Sequence, residues 1–187
     1  DTLHTSQPWD YLAAEKGYRD DVYSTCLDIS AEDKQLAANH FDLEGSQGKL
    51  RSDMLSFFVS DAVLDRSKTY GGESSFADML EVTCRGGEED FAAAAVKIFR
   101  AKGIPARLCR GYFITSDMTK DLTDNSALTV TSKQLHYWAE YYKDGIGWQP
   151  FEVCPDYVGM IKTDDSSAKA KPTNQGGEAL APEDEDK

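Results

Sequence analysis

One segment constrains the fold more than any other: residues 85–107, RGGEEDFAAAAVKIFRAKGIPAR. Gly86 and Gly87 give a tight turn. Glu88, Glu89 and Asp90 follow, where the free N–H groups and the positive end of a helix dipole favour carboxylates. Phe91, Ala94, Ala95, Ile98 and Phe99 then recur on one helical face. Gly103 followed by Pro105 stops the helix. The alanines let such a helix lie close against a sheet, and sheet-forming sequence comes next. Residues 106–115 (ARLCRGYFIT), 134–143 (QLHYWAEYYK) and 147–153 (GWQPFEV) are rich in aromatic and β-branched residues and read as strands. KDGIG, residues 143–147, reads as the hairpin turn between the last two.

Upstream, the chain to about residue 83 reads as mostly helical. Ser30 with Asp33 begins a capped segment carrying Leu36, Ala37 and His40. Leu50, Met54, Phe57, Phe58, Ala62 and Val63 mark a second helix, and Phe76, Met79 and Leu80 a short third. The expected fold is therefore α+β, with a helical N-terminal lobe and a central helix packed on an antiparallel sheet. Residues 1–69 form the helical part of the same domain and 70–162 its core. Residues 163–187 are rich in Ser, Ala, Gly, Pro and charge, and read as a flexible acidic tail or linker.

Composition narrows the function. At 187 residues and 40% hydrophobic the chain can bury one ordinary core. Its formal charge of −13 has the wrong sign for nucleic-acid partners and opposes docking on anionic membranes. No apolar run approaches the roughly 20 residues of a membrane span, so membrane insertion is not expected. The sequence opens on Asp1 with no initiator Met and no signal peptide, as expected of a processed or trimmed piece. Cys26, Cys84, Cys109 and Cys154 form no C-x-x-C pair, which argues against structural zinc. Each reads as a small buried residue. His4 and His40 have no context and read as surface. Trp138, Trp148, Tyr112, Tyr137, Tyr141 and Tyr142 read mainly as sheet core or sheet surface, with a binding platform as the alternative.

The helix start at Glu88 suits a thiol nucleophile, because the dipole favours thiolate there. Such a thiol needs an imidazole from elsewhere and an acid to orient it. His136 on one strand and Glu152 on the next supply both, since the hairpin sets those strands side by side. The nucleophile alone is missing.

Residues 70–157 resemble the transglutaminase-like superfamily, whose core is papain-like. The family's G-x-C-x-x-F-A helix start corresponds to Gly86, Glu88, Phe91 and Ala92. Its R-x-x-G-I-P-A-R-x-x-x-G-Y run corresponds to Arg100, Gly103–Arg107 and Gly111–Tyr112. H-x-W-x-E-x-Y is matched by His136, Trp138, Glu140 and Tyr142. G-W-x-P-F-[DE] is matched by Gly147, Trp148, Pro150, Phe151 and Glu152. The resemblance covers about half the chain. It implies that the nucleophilic cysteine position is occupied by Glu88, and that His136 and Glu152 stand at the base and orienting positions. It implies no cofactor and no metal in the cleft, although two carboxylates and an imidazole would suit a divalent ion. Glu88 reads as a helix-start carboxylate. The expected function is a catalytically degenerate binding or structural module of a bacterial secreted or cell-surface protein, with a protein or peptide ligand. The alternative is an active cysteine protease or amide acyl-transferase using Cys84, four residues upstream, with His136 and Glu152.

Overall fold

A computed structural model describes residues 8–67 and 74–160, and its helices begin where the sequence supplies caps. After α1 (Pro8–Thr25), the hydroxyl of Ser30 accepts from the Asp33 amide at 3.0 Å and starts α2 (Ala31–His40). The Ser46 hydroxyl does the same for Lys49 at the start of α3 (Gln47–Ser56). These bonds satisfy amides that have no partner within the helix. The periodicity gives no signal for α1 because this helix has almost no buried stripe. Among its residues with described side chains only Val22 is buried. It holds the sheet through aromatic edges instead: Tyr18 and Tyr23 pack on Tyr142, and the Trp148 indole N–H donates to the Tyr18 hydroxyl at 2.7 Å.

The second expected helix ends sooner than its apolar pattern implies. After Ser56 the backbone widens into one π-helical turn, Phe57–Asp61, closed by the Ala62 amide on the Phe57 carbonyl at 2.9 Å. The wide turn places Phe58 in the core against Phe91, ring centroids 5.3 Å apart. Ala62 and Val63 therefore lie outside the helix. Val63–Leu64 forms a short strand, β1, parallel to β2 (Arg85–Gly86). Between them α4 (Ser74–Ala77) runs into a second π turn, Asp78–Val82, which buries Met79 and Leu80. In both places a non-local demand, core position or strand pairing, overrides helical periodicity.

The central helix is α5 (Glu88–Ala101), ending at Gly103. Phe91, Ala95, Ile98 and Phe99 are fully buried. On one side lies the antiparallel sheet of β3 (Ala106–Tyr112), β4 (Leu135–Lys143) and β5 (Gly147–Phe151), in that order. The first strand stops three residues short of the expected run, and the last two short. Phe99 stacks on Tyr141 at 5.0 Å and meets Phe151 edge-on at 5.1 Å. Ala37, Leu50 and Met54 of α2 and α3 complete the same core. The fold is thus α+β, with an antiparallel sheet against the central helix. A short helix, α6 (Ser116–Thr119), follows β3, and a 3₁₀ turn, Ser132–Gln134, leads into β4. His40 is exposed and pairs with Glu81 at 3.3 Å. His4 and the expected tail at 163–187 lie outside the described residues.

The entrance to α5 depends on a close approach. Asp90 folds back so that its carboxylate accepts the Gly87 amide at 2.8 Å, buried. A Cβ on Gly86 would press on Met79 Cε and stand 2.6 Å from Asp90 Cβ. The methionine tip can move, but the aspartate cannot without losing its cap. Gly86→Ala is therefore expected to cost about 1–3 kcal/mol by overpacking. The check is a lower midpoint of chemical denaturation at unchanged slope.

Candidate functional site

Glu88 is the first residue of α5, and His136 is the second of β4. The sheet register places His136 opposite Gly111, near the end of the strands that lies beside the α5 entrance. Glu152 follows directly on β5. The structure brings these three side chains into a line. Glu88 Oε2 lies 3.0 Å from His136 Nδ1, and Glu152 Oε2 lies 2.6 Å from His136 Nε2. The second oxygen of Glu152 accepts the Cys154 amide at 2.8 Å, which fixes that carboxylate to the backbone. The second oxygen of Glu88 accepts from Arg66 Nε at 3.1 Å, and another nitrogen of the same guanidinium reaches Asp156.

The imidazole is 1% exposed. A neutral imidazole carries one N–H, and an ionised carboxylate only accepts. Two carboxylates, one on each ring nitrogen, are both satisfied when the ring is an imidazolium. Burial pushes the His136 pKa down, but hydrogen bonds to Glu152 and Glu88, with their charges, outweigh it and the net direction is up. Because the nitrogens face different acids, no single point is shared by all three side chains. Among the described residues no group of three His, Cys, Asp or Glu side chains is arranged to hold a metal ion.

Rings enclose the imidazole. Tyr157 lies 4.2 Å from it, centroid to centroid, Phe113 5.7 Å, and Trp138 6.1 Å and nearly parallel. Trp138 lies flat on β3, since a Cβ on Gly111 would stand 2.9 Å from its Cη2 atom. Its indole N–H donates to Glu140, which Arg107 holds at 2.6 Å. A hollow of about 300 Å³ opens beside His136, walled by Tyr112, Phe113, Trp138, Glu140 and Pro150.

Cys84 stands apart from this constellation. It precedes β2 with a φ of 50°, an uncommon value for a residue with a Cβ, and its sulfur lies 3.9 Å from the Leu80 carbonyl. No hydrogen bond among the described residues joins it to His136. The four cysteines are all free thiols, and only Cys154 is buried; Cys26, Cys84 and Cys109 are partly exposed, contrary to the expectation of burial for each. Burial first, then the nearby Glu140 carboxylate, pushes the Cys109 thiol to about 11, with Arg107 opposing. Burial pushes Cys154 to about 12. Neither favours thiolate at neutral pH. Arg66, Asp156 and Tyr157 escaped the sequence reading. They come from a turn after β1 and a turn after β5, and no local pattern ties either turn to a helix start.

With this geometry in view, the chain belongs to the transglutaminase-like superfamily, whose family model matches residues 52–153. It is 32% identical over 83 residues to the uncharacterized protein YebA of Bacillus subtilis, a match covering 43% of this chain and 11% of that one. The fold is similar to the periplasmic domain of TgpA from Pseudomonas aeruginosa. The form bound to ethylmercury gives a TM-score of 0.57 and a second crystal structure 0.52, both at 22% identity. Each comparison covers 74% of this chain and about half of the TgpA domain, 49% and 48%. No helix among the described residues is long and apolar enough to cross a membrane.

The raised pKa of His136 has a definite sign. Its contribution to stability is fully present below the unfolded value of about 6.5 and is lost as pH rises through the folded value. An NMR titration of the His136 ring is expected to give a midpoint above 6.5, and Glu152→Gln to lower it. A wild-type midpoint below about 6.5 would show that burial prevails over the two carboxylates.

Proposed function

We propose that this domain is a catalytically degenerate transglutaminase-like module that binds a protein or peptide ligand, rather than one that cleaves or cross-links it. One observation carries the reading: a carboxylate stands at the helix start, hydrogen-bonded to the imidazole, at the position that the motif resemblance assigns to the family's thiol. A carboxylate is a poor nucleophile toward an amide, and a base without an attacking atom forms no acyl-enzyme. The base is also engaged on both nitrogens. The aromatic hollow beside His136 supports a binding role, since concave, ring-lined surfaces with a few polar groups suit ligands. A secreted or surface location is proposed on the strength of the periplasmic neighbour.

The test restores the missing atom. Glu88→Cys places a thiol at the first turn of α5, where the dipole and His136 stabilise thiolate. Its alkylation by iodoacetamide near neutral pH is expected to be at least about tenfold faster than that of Cys84 in the same chain, as for thiols of lowered pKa. The wild-type chain is expected to form no acyl adduct with an electrophilic glutamine or peptide analogue, read by mass spectrometry. A stoichiometric adduct on wild-type Cys84, abolished by His136→Ala, would overturn the degenerate reading and promote a working cysteine enzyme.

A further inference from the structure

One of the rings packed on the buried His136, that of Tyr157, belongs to a segment that has few other attachments. We propose that residues 155–160 form a strap over the imidazole, and that the Arg66–Asp156 ion pair is its latch. The inference rests on the reading of this cleft as the ligand site and adds a means of controlling access to it.

The strap covers the site through one side chain. Tyr157 packs on His136 at 4.2 Å and on Phe113 at 4.8 Å. Its backbone bonds are local: the Tyr157 and Val158 amides donate to the Cys154 carbonyl at 2.9 and 3.0 Å, and the Met160 amide to that of Tyr157. Asp156, Gly159 and Met160 are exposed. Beyond the ring contacts, the hydrogen bond that ties the strap to another part of the fold, among the described residues, is Asp156 to Arg66. Arg66 is bonded in turn to Glu88, so the latch closes directly on the residue at the helix start. The root behaves differently. Cys154 is buried, and its amide holds Glu152. Rotation about the Cα–C bond of Cys154 would carry its carbonyl and the bonded strap together, lifting Tyr157 while leaving the Cys154 amide on Glu152 and the Glu152–His136 bond in place. The hollow already reaches His136 beside Phe113 and Trp138. Lifting the strap would uncover the ring from the Tyr157 side and extend that cleft toward Glu88.

The latch is exposed, with the Arg66 and Asp156 side chains 55% and 53% accessible, so salt should weaken it. The experiment measures carbethoxylation of His136 by diethyl pyrocarbonate in the full chain. Peptide mass mapping reads the site, N-acetylhistidine in the same tube calibrates the reagent, and each protein is compared at the pH of equal neutral imidazole set by its NMR titration. Asp156→Asn is expected to raise the His136 rate by roughly two- to fivefold, the range of an exposed ion pair. Tyr157→Ala should raise it further. Salt near 1 M, with a Debye length of about 3 Å, should raise the wild-type rate and leave Asp156→Asn unchanged. Rates that stay at the wild-type value in both variants and in salt overturn the strap. An unshifted rate beside a wild-type chain that forms no acyl adduct would sink the strap alone, whereas a shifted rate beside a His136-dependent adduct on wild-type Cys84 would sink the functional reading alone.

Discussion

The contact between α5 and the sheet governs where everything else stands. Alanines at 92–95 and 101 keep the helix thin, so its axis approaches the strands closely. Phe99 then fixes the lateral position by stacking on Tyr141 and abutting Phe151. Once those rings interlock, the first turn of the helix has one place to be, beside the end of β4. Glu88 meets His136 as a consequence of packing about eleven residues further along the helix. The Gly86–Asp90 approach at the entrance serves the same end, because the buried cap sets the direction in which the chain enters α5.

The charges follow from that placement. A nearly buried imidazole between two carboxylates would be costly if any member lacked a partner, since an isolated ion in a medium of low dielectric loses its hydration. Here each atom that could be stranded has an occupant. Glu152 spends its second oxygen on the Cys154 amide, and Glu88 spends its own on Arg66. The imidazole is the centre of the arrangement, and hydrogen bonds to the two carboxylates raise its pKa against the opposing effect of burial.

Much of this was legible before folding was considered. The α5 segment announced itself through a glycine turn, an acidic start and an apolar face, each acting within one or two helical turns. The hairpin at KDGIG followed from turn chemistry, and its geometry appears in the positive φ of Gly145 and Gly147. Glu88, His136 and Glu152 could be singled out because they sit at the ends of strongly patterned elements. Other features were not legible. The π turns at 57–61 and 78–82 look helical in sequence, since the residue added to each turn answers to the core and not to local propensity. The pairing of Val63 with Arg85 joins two segments that carry no strand pattern. α1 was silent because its contacts are made by tyrosines at the rim of the sheet.

The sequence by itself determined the α+β class, the central helix and its acid at the first turn, because these depend on periodicity, capping and turn residues that act over short distances. Only the tertiary structure decided that Glu88 and Glu152 would bracket one imidazole, that Arg66 and Asp156 would meet over it, and that Tyr157 would close it from solvent. Those contacts join residues 16 to 90 positions apart, and their geometry depends on how the helix seats on the sheet. Side-chain identity states what each group can do, and packing states which groups are near enough to do it together.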